Sequence, residues 1–190
     1  MKTSLILNLE DTPSQRMLYF ITGISAIFTF IIFVLMRPVE TALKRASPYG
    51  VMELEFAWTA DKINIIFTAW EQADSGLISQ ELFVTLVDYG FLFAYSILFA
   101  CITLLISRRF LSGRIQLVGY YMTFIPFIAA VFDAIENVNL ILMLSSPSNF
   151  PSFSPLLASI FALLKFSLLI FVIIFWIISG GWLLKKSVSK

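Results

Sequence analysis

Histidine is absent from this sequence of 190 residues, and cysteine occurs once, at Cys101. The first absence excludes any zinc, haem or acid–base scheme that needs an imidazole. The second excludes an internal disulfide and a Cys-rich metal site. Cys101 lies within an apolar run, where a lone cysteine reads as a small buried hydrophobe. Charge is also scarce. Charged residues make up 13% of the chain, against about 25% in ordinary soluble domains. The net charge is +1, so no global field argues for nucleic acid.

What is present is apolar surface in blocks. Hydrophobic residues make up 59% of the chain, and the mean hydropathy is +0.90. A bilayer core about 30 Å thick needs about 20 apolar residues in helical form. Four segments qualify: 17–36, 87–106, 115–144 and 155–184. The last two exceed the minimum and are expected to tilt or project beyond the lipid. The first is too long for the apolar part of a signal peptide and reads as a retained anchor. The fold class is therefore all-α, a polytopic membrane four-helix bundle forming a single membrane domain over 1–190.

Sidedness follows from Lys and Arg. Four spans put both termini on one side, together with the short loop 107–114. That side carries Lys2, Arg16, Arg108, Arg109, Arg114, Lys185, Lys186 and Lys190. The other carries Arg37, Lys44, Arg45 and Lys62, spread over a long loop. Both termini are expected in the cytoplasm, with the bacterial inner membrane as the host. The long loop 37–86 then faces outward. Within it Ile63, Ile66, Phe67 and Trp70 recur at helical spacing, with Phe56 and Trp58 just upstream. This reads as an amphipathic helix on the outer surface or against the bundle. Its acids, including Glu53, Glu55, Glu71 and Glu81, are expected on a solvated face. Glu71 to Leu82 does not fit a calcium loop, because the twelfth position is Leu82 rather than a bidentate Glu. The loop 145–155 is rich in Pro and Ser, with Phe150 and Phe153 expected to dip toward bundle or lipid.

The third span carries Asp133, Glu136, Asn137 and Asn139. The first three sit at i, i+3 and i+4, so they share a helix face. Pro126, Ala129 and Ala130 extend that stripe, and Pro126 removes a backbone donor and is expected to bend the span. The fourth span carries Lys165. Asp133 precedes Asn149 by sixteen residues and Lys165 follows it by sixteen. In an antiparallel hairpin the two arrive at one depth, with Ala158 and Ala162 beside Lys165. A lone charge at mid-span costs roughly 2.5–3.5 kcal/mol on insertion scales, so pairing is expected. Asp88 enters the second span from the same side. Tyr95 lies two turns deeper, and both are expected to line the mouth of one pocket.

These residues resemble a family of small, uncharacterised bacterial four-helix membrane proteins. The matching features are Leu54-Glu55-Phe56-Ala57, Trp70, Asp88 with Phe91, Phe93 and Tyr95, Asp133-x-x-Glu136-Asn137, and Lys165-Phe166. They cover roughly residues 50–175. The resemblance implies topology and site residues but no reaction.

Three functions fit. The first is a non-enzymatic binding or assembly protein, holding a membrane lipid or small apolar ligand, or docking a membrane-protein partner or a second copy. It requires the charge cluster to be closed by packing, with Trp58 and Trp70 at a contact face. The second is a proton- or ion-coupled carrier, although no internal repeat or broken helix pair supports it. The third is an intramembrane enzyme with Asp133 and Glu136 as acid and base. The first is preferred, with no catalytic residue, metal ligand or cofactor assigned.

Overall fold

The computed structural model describes residues 9–110 and 113–188. Lys2 and Lys190, counted in the charge bias, lie outside these residues, and the side chain of Lys186 is not described either. The fold is all-α. Among the described residues the helices are α1 (Gln15–Ala46), α2 (Val51–Glu55), α3 (Ala60–Ala73), α4 (Leu77–Arg108), α5 (Arg114–Met122), α6 (Ile125–Ser145) and α7 (Ser154–Val188). Four stretches are long and apolar enough to cross a membrane: Gln15–Ala46, Leu77–Arg108, Arg114–Ser145 and Ser154–Leu183. Large apolar side chains stay exposed along them, among them Phe20, Phe30, Leu35, Phe93, Ile177 and Ile178. Helices keep every mid-span backbone group bonded internally, and such faces suit lipid rather than water. The chain is a membrane protein of four spans.

The helices outrun the apolar segments. α1 continues past Met36 to Ala46 because its last turns still bury apolar surface, Leu43 being fully enclosed. α4 likewise starts at Leu77, well before the apolar segment 87–106. The third span is interrupted between α5 and α6. Pro126 occupies the second position of α6, where a missing N–H costs no helical bond.

The chain divides into two compact units. One comprises residues 1–29, 94–130 and 166–190, and the other 30–93 and 131–165. The first has a small core of Leu18, Cys101, Leu104 and Tyr120. Gly119 of α5 lies so close to Ser107 of α4 and to Phe175 that an added methyl group would collide with both.

The second unit has the larger core, centred on Leu43, Leu54, Ile63, Ile66, Trp70 and Met143. The expected amphipathic helix is present but broken. α2 and α3 are separated by residues 56–59, where Trp58 takes a left-handed φ of 62°, uncommon for a bulky side chain. Thr59 then caps α3, its side chain accepting a hydrogen bond from Lys62 N at 3.3 Å. The apolar face of α3 packs into this core, and Trp70 Nε1 donates to Tyr49 O at 2.9 Å. Trp58 is half exposed, and Phe150 packs edge-on against Phe67 while Phe153 remains exposed.

Candidate functional site

The site is built within the second unit. α6 presents Asp133 and Glu136 one turn apart, and α7 presents Lys165. Lys165 Nζ lies 2.9 Å from Asp133 Oδ1 and 2.7 Å from Glu136 Oε2. All three side chains are buried. Asn137, on the same face of α6, donates through Nδ2 to Asp88 Oδ2 of α4 at 2.7 Å. Asp133, Glu136, Asn137, Lys165 and Asp88 are therefore joined by an ion-pair group and an amide–carboxylate bond on three helices. Tyr95 belongs to the other unit, where its buried ring meets Phe99 edge-on. Asn139 donates back to Ile135 O at 2.8 Å, a local bond within α6.

A third carboxyl reaches the same ammonium. Glu55 Oε1 lies 3.7 Å from Lys165 Nζ. Glu55 ends α2, outside the four spans, and its burial overturns the expectation of a solvated face. Ser159 of α7 explains the placement. Its hydroxyl donates to Glu55 O at 2.7 Å and accepts from Trp58 N at 3.0 Å. Two backbone groups of the corner between α2 and α3 are thus fastened to α7, about a turn and a half before Lys165. Burial pushes the Glu55 carboxyl above its ordinary range, and the Lys165 ammonium pulls the other way without cancelling the effect. Glu81, also expected in solvent, is buried on α4.

The sequence held a partial signal for Glu55, since Leu54, Phe56 and Ala57 flank it. An acid inside a short apolar run has to be paired or neutralised if the run is buried.

Electrostatically the site is lopsided. Asp133, Glu136 and Glu55 surround one ammonium, and Asp88 stands behind Asn137. Glu136 Oε1 and Glu55 Oε2 are buried away from any N–H donor, and the two carboxyls contact each other side chain to side chain. Buried acceptors without donors are rare, and each one calls for an explanation such as water, an ion or a proton. Among the described residues no trio of side chains is arranged to hold a metal ion. Lys165 Nζ occupies the position that such an ion would take between the carboxyls.

The fold and this cluster define a polytopic all-α membrane protein with an acid-rich polar site. No family model matches the chain, and neither a curated protein nor a solved structure does.

Proposed function

We propose that the protein is a non-enzymatic membrane binding protein. Its site is the Lys165 cluster, and its ligand is an amphipathic amine, either a small molecule or an amine-bearing lipid headgroup. The observation that carries this reading is the gathering of three buried carboxyls, Asp133, Glu136 and Glu55, about a single ammonium. Such a site lacks positive charge and N–H donors, and an ammonium head supplies both. The apolar faces of the spans suit the ligand's tail.

Sidedness and family belong to the same proposal. The Lys and Arg bias supports both termini in the cytoplasm of a bacterial inner membrane. The resemblance to small bacterial four-helix membrane proteins is kept on the strength of its quoted residues.

A second reading, a proton-coupled carrier, draws support from the surplus of carboxyls over cations, since intramembrane acids are the usual parts of a proton path. An enzyme draws less. Asp133 and Glu136 are committed to Lys165, whose nitrogen is taken up by carboxyls rather than offered to a substrate.

The test is titration of hexylammonium and of hexanoate into the full chain in maltoside micelles, followed by calorimetry. Hexylammonium binds the wild type, and Asp133→Asn or Glu136→Gln weakens it about tenfold or more. Hexanoate does not bind. Absence of hexylammonium binding, or equal binding by both variants, overturns the reading.

A further inference from the structure

Arg108, Arg109, Arg114 and Lys185 belong to the unit holding residues 94–130 and lie at the ends of its spans, on the side read above as cytoplasmic. That unit is poor in acids. No Asp or Glu occurs between Asp88 and Asp133 or after Glu136, which leaves Glu10 and Asp11 as its acidic residues. Two of the four cations are taken up internally. Arg108 donates to Leu9 O at 2.9 Å and to Pro13 O at 2.8 Å, and Arg109 donates to the Tyr19 hydroxyl at 3.0 Å. Arg114 and Lys185 are exposed, and neither side chain forms an ion pair or hydrogen bond among the described residues.

Arg114 also lines a cavity. A groove of about 210 Å³ lies between α5 and α7, with Arg114, Ile115 and Val118 on one wall and Phe175, Ile178 and Trp182 on the other. Apart from the Arg114 head and Ser179 its lining is apolar. Phe175 to Trp182 covers about 10 Å of helix, so the groove runs from the end of the span toward the lipid interior. At its inner end a Cβ added to Gly119 of α5 would stand 2.9 Å from Phe175 Cζ, so the glycine lets the two helices close together there. At its outer end Phe110 meets the Trp182 ring edge-on at 6.2 Å. Ile178, Trp182 and Lys185 follow one another at i, i+4 and i+7, so Lys185 continues the groove face of α7 about a turn further out. The mouth therefore carries two cations. α5 begins there too, at Arg114, with the positive end of its dipole.

We propose that this groove binds one acyl chain of an anionic phospholipid, whose phosphate is held by Arg114 and Lys185. Size favours a length of chain, because drug-sized pockets enclose roughly 300–1,000 Å³ and this one is smaller. Charge favours an anion. An unpaired guanidinium above apolar walls matches a phosphate joined to a hydrocarbon tail, and basic pockets between spans on the cytoplasmic side suit such headgroups. A second copy packed into the groove would add cations of its own, with only Glu10 and Asp11 to oppose them. The groove lies in a different unit from the Lys165 cluster, and the proposal does not rest on amine binding.

The experiment is tryptophan fluorescence of the full chain in maltoside micelles, titrated with phosphatidylglycerol or phosphatidylcholine brominated in the acyl chain. Bromine quenches a tryptophan at contact, and Trp182 lines the groove. Phosphatidylglycerol is expected to quench at a concentration about tenfold or more below that of phosphatidylcholine. Trp182→Phe removes most of that difference. Arg114→Gln raises the phosphatidylglycerol midpoint about fivefold, and adding Lys185→Gln abolishes the preference. Arg109→Gln, which deletes a cation already bonded to Tyr19, retains it. All four side chains are exposed, so these variants keep the packing intact. Equal midpoints for the two lipids overturn the proposal, as does a preference undiminished in Trp182→Phe. An equal loss from Arg109→Gln and Arg114→Gln also overturns it, because that would show only a general attraction to the basic end of the protein.

Discussion

The two units satisfy their buried polar groups in different ways. In the unit holding residues 94–130, hydroxyls bond back along their own helix. Thr103 donates to Phe99 O at 2.7 Å, Ser107 to Thr103 O at 2.6 Å and Thr123 to Gly119 O at 3.1 Å. Bonds between distant segments also occur there. Arg108 donates to Leu9 O and Pro13 O, and Trp176 Nε1 to Thr103 Oγ1 at 2.8 Å. In the unit holding residues 131–165, the decisive contacts join distant charged or amide groups: Lys165 to Asp133, Asn137 to Asp88, and Ser159 to the backbone at Glu55 and Trp58. A back-bonded hydroxyl stabilises whatever helix it sits on. A charge pair between helices fixes their register, because sliding either helix by one turn strands a charge in a poor solvent. The second unit therefore combines the larger apolar core with the stricter positional demand.

The sharpest way to break this contrast is to remove the one cation. Lys165→Met leaves three buried carboxyls unopposed and is expected to cost about 3–5 kcal/mol, read as detergent-solubilised thermal unfolding. Adding Asp133→Asn, Glu136→Gln and Glu55→Gln should recover much of the loss. Stability equal to wild type for Lys165→Met alone would show that the cluster does not organise the unit.

A smaller effect isolates Glu55. A carboxyl whose folded-state pKa is raised contributes stability that is fully present below the unfolded value, near 4.5, and is lost as pH rises through the folded value. Glu55→Gln removes that loss. Its melting temperature should fall less steeply than that of wild type from acid to neutral pH. Parallel curves for the two proteins would mean that Glu55 does not titrate differently on folding.

The smallest effect is expected in the other unit. Thr103→Val removes one back-bond and the acceptor for Trp176, and should cost about 1 kcal/mol or less. A loss as large as that of Lys165→Met would erase the distinction between the two units.

Much of the site was legible because helical hairpins are nearly linear rulers. Asp133 and Lys165 stand equally far from Asn149, and the i, i+3, i+4 spacing aimed Asp133, Glu136 and Asn137 the same way. The apolar face of α3 was readable for the same reason. Glu55 and Glu81 were not. Acids in a loop between spans look solvated when only composition and local spacing are read, and nothing local shows that the corner after α2 is fastened to a serine on α7. The break at Thr123–Phe124 was only half legible. Pro126 marked a disturbance but not that one helix would stop and another begin.

The sequence by itself determined the all-α class, the four spans and the pairing of Lys165 with the acids of α6. Those follow from segment length, hydropathy and helical period, which act locally or between neighbouring helices. Only the tertiary structure decided that Glu55 joins the cluster, that Asp88 is held by Asn137, and that Glu81 is buried. Each of these depends on contacts between segments far apart in the chain, and those contacts are set by how the helices pack rather than by any periodicity within them.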